Sequence, residues 1–327
     1  MRESPWSRRK TPRAVRRVGT PAAALALLLA ACVQEAGPRV GAAEGAVQES
    51  NDVQIQRRVD VDLAEISALG LRQREGKLQL LAVGDAALKV ATGGAGDLKL
   101  EVRSVTGTAP SQWEAVASDV TGRVFVLKEN PGSIIVFDPT LAKQETEIEL
   151  AVSGSRWKDM NSRGEGFVLM KNGHVLVLKE KAPLELVEFG PKGEAPRGYE
   201  PGAAVGTANE FPLPKDPRPR FEVLKEWEMG EDSAGLAEDA SEICVGPDGL
   251  LYLLSDQSKT ISVLEQKIGP TEKRFKFDAT WHLPKEIDKP EGLVILPNGT
   301  PIVAVDAPKK GTLFVLSKLE RPAHKDK

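Results

Sequence analysis

One cassette recurs five times between Glu65 and Leu316, and it restricts the chain to few architectures. An apolar strand opens on a small or acidic residue and leads into a Gly turn. A second apolar strand ends in a carboxylate, and a third strand follows. The clearest copies run Trp113–Glu129, Gly164–Glu180 and Pro290–Asp306. In these copies Glu114, Glu165 and Glu291 precede the turn Gly by eight residues, and Glu129, Glu180 and Asp306 follow it by seven. The copy at Ser241–Asp256 keeps the Gly249-to-Asp256 spacing.

Self-similarity at about 40–50 residues, with several strands per unit, is the signature of propeller blades. The expected fold is all-β: a five-bladed β-propeller of four-stranded blades over 53–318, with six blades as the alternative. The last blade runs out of chain after Thr312–Leu316, one strand short. Val53–Val61 alternates, has no blade of its own, and is the natural donor; closure by an N-terminal strand removes both sheet edges. The sixth blade would have to come from 183–233, which is mostly Pro, Gly and charge and reads as an inserted loop.

The first residues read as an export signal. Arg2, Arg8, Arg9, Lys10, Arg13, Arg16 and Arg17 precede a short apolar run ending in Leu29-Ala-Ala-Cys32. That run is shorter than the ~20 residues a spanning helix needs, which favours a signal over an anchor. Its end matches the bacterial lipoprotein cleavage motif, with Cys32 the lipidated residue and 33–52 a disordered tether. The alternative is an ordinary signal with an incidental Cys. The expected location is exported and membrane-anchored, in the outer membrane or at the cell surface. Without residues 1–32 there remain 37 basic and 46 acidic residues, a net charge of −9, which argues against nucleic acid as a partner. A monomer is expected, with a charged tail at 319–327.

In a propeller the start of each first strand and the end of each second strand lie at one face. Glu114, Glu165 and Glu291 therefore belong near one mouth of the central channel, with Asp85, Glu129, Glu180, Asp256 and Asp306 further out. Carboxylates gathered around one opening raise each other's pKa unless a cation lies between them. Hard oxygen donors from several directions suit Ca²⁺, which takes six to eight oxygens; no His or Cys cluster argues for a softer metal. The competing readings are backbone hydrogen bonding for the first set and solvated turns for Glu129 and Glu180. Aligning Pro247-Asp-Gly249 with Pro297-Asn-Gly299 matches Ser241 to Glu291, so Glu242 is a ligand only if a bulge restores it. Glu65 and Ser67 pose the same question in the first blade.

Catalytic motifs are scarce. There is no Gly-x-Ser-x-Gly elbow, Walker loop or Gly-x-Gly-x-x-Gly. His174, His282 and His324 lie away from the acidic rim, with surface or packing roles expected. Cys244, in an apolar run, reads as a small buried hydrophobe. Trp113 and Trp157 read as packing between blades, with a ligand pocket as the alternative.

The segments Gly164-Glu-Gly-Phe-Val-Leu-Met170, Asp239-Ala-Ser-Glu-Ile-Cys-Val-Gly-Pro-Asp-Gly-Leu-Leu-Tyr-Leu-Leu-Ser-Asp-Gln-Ser258 and Lys289-Pro-Glu-Gly-Leu-Val-Ile-Leu-Pro-Asn-Gly299 resemble the SdiA-regulated family of bacterial exported proteins. That family is related to NHL-repeat and esterase-like-phytase propellers. The resemblance covers roughly 55–318. It implies a five-bladed propeller with a calcium site and no settled enzymatic activity. Glu165 and Glu291 match its Glu-Gly positions and Ser241 its Ser position, while Glu242 replaces the expected Gly. Three readings follow: a lipid-tethered binding module holding a small ligand or an envelope protein, a Ca²⁺-dependent hydrolase of lactones or phosphoesters, or a purely structural propeller whose acids only stitch blades together.

Overall fold

The computed structural model describes residues 49–50, 53–84, 88–105, 112–129, 132–152, 164–181, 183–233 and 235–321. All of them belong to one compact unit, Gly45–Lys327. The export signal with Cys32, most of the tether, Asp85, Trp157, His324 and the end of the tail lie outside the described residues.

The described chain is all-β, with one short 3-10 turn at Glu231–Ser233. After β1 (Glu49–Ser50) and β2 (Ile55–Val61), the first sheet is a meander of β3 (Ile66–Arg74), β4 (Lys77–Gly84), β5 (Lys89–Gly94) and β6 (Leu100–Ser104). The second is β7 (Trp113–Ser118), β8 (Val124–Lys128), β9 (Ser133–Phe137) and β10 (Gln144–Ala151). The third meander is β11 (Gly166–Leu169), β12 (Val175–Lys179), β13 (Glu185–Pro191) and β14 (Arg220–Met229), which the β10–β14 pairing joins to the second in one continuous sheet. The fourth is β15 (Glu242–Val245), β16 (Leu251–Ser255) and β17 (Thr260–Leu264), then, after β18 (Arg274–Phe275), β19 (Phe277–His282). The last is β20 (Pro290–Ile295), β21 (Pro301–Val305) and β22 (Gly311–Leu316), completed by β2.

Local sequence explains these elements. β8, β9, β12 and β17 are buried at every position, as expected for Val-, Ile- and Leu-rich strands covered on both faces. The repeated turn residues Gly122, Gly173, Gly249 and Gly299 have φ of 82°, 87°, 77° and 82°. Side-chain-bearing residues avoid that region, so the recurring Gly is a backbone requirement of the hairpin.

β2 pairs antiparallel with β22, Val59 opposite Leu313, and leaves Gln56, Arg57, Arg58 and Asp60 exposed. Charged residues on an outer strand disfavour edge-to-edge pairing with another chain. Other edges are joined or covered as well. β10 pairs in parallel with β14, β18 with β14, and β1 with β19. The outer strand of the fourth sheet is thus divided: Arg274–Phe275 joins the third sheet, and only Phe277–His282 pairs within the fourth.

The first strands of the sheets meet in sequence. β3 packs against β7, β7 against β11, β11 against β15, β15 against β20, and β20 against β3. This ring positions the candidate site.

Candidate functional site

A shared irregularity aims the acidic residues. In β3, β7 and β20 the pairing slips by one residue at Ser67, Glu114 and Glu291. The same offset falls at the start of the other two inner strands. Glu165 donates its N–H to the Leu178 carbonyl (3.0 Å) while Gly166 pairs with Leu178. Ser241 donates to Leu254 (2.9 Å) while Glu242 pairs with Leu254. A bulge turns one side chain out of the regular alternation, a device found at barrel rims and beside active sites. Here it puts Ser67, Glu114, Glu165, Ser241 and Glu291 at equivalent places, which answers the question left between Glu65 and Ser67.

All five line one cavity of about 390 Å³. Its wall also carries Glu65, Glu129, Glu180, Asp239, Asp256 and Asp306, so nine carboxylates face one space; Lys181 is the single basic residue among its described lining. Of the residues anticipated here, Glu65, Glu114, Glu129, Glu165, Glu180, Asp256, Glu291 and Asp306 are brought together, and Asp85 lies outside the described residues. Glu129 is buried rather than in a solvated turn.

The outer members are tied down. Lys259 holds Asp256 (2.7 Å), Lys289 holds Asp306 (3.3 Å), and Lys181 donates to Glu180. Asp239 accepts from the Ser255 hydroxyl (2.6 Å) and the Gln257 N–H (3.0 Å). Ser67 donates to the Trp113 carbonyl. Asp239 was missed in the sequence; its only signal was an acid two residues before Ser241.

Electrostatics follow from the crowding. Burial, then the charges of Glu114, Glu180, Glu291 and Glu129, push the Glu165 carboxyl well above the usual range. Burial, then Asp256, Asp306, Asp239 and Glu180, push Glu291 to about 8. Like charges in a shared, poorly solvated space cannot all ionise. As the side chains stand they do not chelate: among the described residues no three His, Cys, Asp or Glu side chains converge closely enough to hold a metal ion. In donor chemistry they fit a hard cation, since the wall offers oxygens and no sulfur or imidazole.

Glu242, anticipated with the metal residues, is not in this wall. Because the offset of this inner strand falls at Ser241, Glu242 sits in register with Gly166 and Gly292, the regularly paired positions of neighbouring strands. It is 2% exposed, and its carboxyl accepts from the Ile243 N–H (3.0 Å) and the Leu69 N–H. Its Oε2 has no hydrogen-bond partner in the structure. Burial first, then the charges of Glu165 and Glu291, push its carboxyl well above the usual range.

The histidines lie elsewhere. His174 is fully buried between Glu188 (Nδ1, 2.5 Å) and Glu194 (Nε2, 2.9 Å), while His282 is half-buried. Trp113 packs on Phe137 at 5.9 Å and takes no part in the cavity wall.

No known protein family matches the chain, and no curated protein is similar to it in sequence. Among solved structures, the chain is similar to the glutaminyl cyclase of Myxococcus xanthus (12% identity, TM-score 0.48, covering 84% of this chain and 100% of that one). It is also similar to a putative oxidoreductase (glucose dehydrogenase) of Thermus thermophilus (14%, 0.43, 81% and 100%). A third is the virginiamycin B lyase of Staphylococcus aureus (12%, 0.39, 83% and 76%). Likeness at this level does not say what the chain does.

Proposed function

We propose that the chain is a five-bladed β-propeller whose acidic channel mouth binds Ca²⁺, and that it works as a ligand- or protein-binding module of the bacterial envelope. The carrying observation is nine carboxylates on one 390 Å³ cavity, with Glu165 and Glu291 pushed toward protonation. A cation among them relieves the repulsion and releases protons. Glu114, Glu165 and Glu291 would hold it, with Glu65 and Asp239 within the same wall. The closed succession of inner-strand contacts and the completion of the last sheet by β2 support the blade count. Lipid attachment at Cys32 and export are proposed on the basic-then-apolar pattern before it, as is kinship to the SdiA-regulated family on its quoted segments.

Calorimetry with CaCl2 on chelator-treated Gly45–Lys327, repeated on Glu165→Gln/Glu291→Gln, tests the site. Saturable heat in the wild type, lost in the double variant, is the expected result. Absence of heat and of thermal stabilisation in the wild type overturns it.

One observation favours a second reading, a Ca²⁺-dependent hydrolase of lactones or phosphoesters. Glu291, with a pKa of about 8, carries a proton near neutrality, as a general acid must. Bound Ca²⁺ would supply Lewis acidity there. Turnover of generic lactone or phosphoester substrates, lost on Glu291→Gln, distinguishes this from the binding module.

A further inference from the structure

Further along the same inner strands lies a second cavity of about 480 Å³, and it differs in kind. Each inner strand contributes to it: Leu71 from β3, Val116 from β7, Phe167 from β11, Val245 from β15 and Ile295 from β20. Among the described residues lining it there is no Asp, Glu, Lys, Arg or His. In a chain with 28% charged residues, that is a pronounced local exclusion. The two cavities divide at Glu242. Ser241 lines the acidic one and Ile243 the apolar one, while the Glu242 carboxyl is tied between the Ile243 and Leu69 amides.

Part of the wall is built by the long insertion between β13 and β14. Lys171 donates to the Ala203 carbonyl (2.9 Å), and Val205 to that of Leu169 (2.8 Å). Val120 donates to the Asn209 carbonyl (2.9 Å), and Arg123 to that of Phe211 (3.1 Å). The insertion therefore crosses from the third sheet to the second along this mouth, and its Gly206 and Thr207 face the cavity.

We infer that this cavity is a binding site for an uncharged, apolar small molecule, walled by the insertion and separate from the acidic mouth. Ligand pockets of about 300–1,000 Å³ are the common range. An apolar cavity of roughly 150 Å³ holds one benzene, so this space takes a molecule of about three rings or a medium acyl chain. A charged guest would lose its hydration without a partner. The polar side chains on offer are few: the Thr207 hydroxyl, since the Ser118 hydroxyl is committed to the Leu71 carbonyl (2.8 Å) and the Cys244 sulfur is hydrogen-bonded to the Ile295 backbone.

The test is fluorescence titration of Gly45–Lys327 with N-phenyl-1-naphthylamine, an uncharged aromatic probe. Expected is saturable binding at one probe per chain, unchanged by CaCl2, by chelator, or by Glu165→Gln/Glu291→Gln. Val245→Lys and Ala117→Trp, each at a half-buried wall position, should weaken it about tenfold or more while cooperative thermal unfolding is retained. No saturable binding by the wild type overturns the inference. So does equal binding by both folded variants, or light scattering that shows a dimer dispersed by Val245→Lys with no probe bound.

Discussion

Glu291→Gln should stabilise the cation-free protein at neutral pH and flatten its pH dependence. The Glu291 carboxyl rises from 4.5 to about 8 on folding. The folded state then holds a proton that the unfolded state has released, so stability falls as pH rises from 4.5 to about 8 and is level beyond. One pH unit corresponds to about 1.4 kcal/mol, so the full span costs about 5 kcal/mol and the part accumulated by pH 7 about 3. Partial solvent access and the shared protons of Glu165 reduce this to about 2 kcal/mol. For a chain of this length each kcal/mol moves Tm by about 2 °C, so the variant should melt about 4 °C higher at pH 7 in chelator. At pH 4.5 the two proteins should melt together. Circular dichroism melts of Gly45–Lys327 between pH 4.5 and 8.5 read this directly. With CaCl2 the wild type should gain more at pH 8 than at pH 5, and the variant little. Parallel wild-type and variant curves across the range would refute the claim that burial and the neighbouring carboxylates raise Glu291.

Three further outcomes are expected. His174, raised above 6.5 by its bonds to Glu188 and Glu194 against the lowering effect of burial, contributes stability that is full below 6.5 and lost as pH rises through the folded value. His174→Gln should remove that alkaline loss, insensitively to CaCl2, as urea unfolding at pH 6 and 9 would register. At Gly166 an added Cβ would lie 2.5 Å from the Ile243 nitrogen and 2.8 Å from Glu242 Oε1, so Gly166→Ala should cost about 1–3 kcal/mol in urea unfolding. Deleting residues 53–61 strips the partner from β22 and should convert a monodisperse protein into aggregates on size-exclusion chromatography.

Much of the site was legible because it is written in local spacing. The eight- and seven-residue offsets around each turn Gly are hairpin geometry, and hairpins put the start of one strand beside the end of the next. Glu114, Glu165, Glu291, Glu129, Glu180, Asp256 and Asp306 reach one cavity for that reason. Asp239 and Lys181 sit outside the offsets, and only three-dimensional proximity recruits them.

Repetition, turn chemistry and strand alternation, all properties of nearby residues, already dictate an all-β chain whose carboxylates gather at one face. Tertiary structure alone decided which residue in each inner strand bulges, because a bulge depends on the facing strand as well as its own. It also decided the fate of Glu242, whose burial comes from close approach of the Leu69 amide and Gly166 on other sheets. The path of the insertion was likewise undetermined by its Pro- and Gly-rich composition. Backbone groups on two sheets, at Leu169 and Val120, capture it and build the apolar wall.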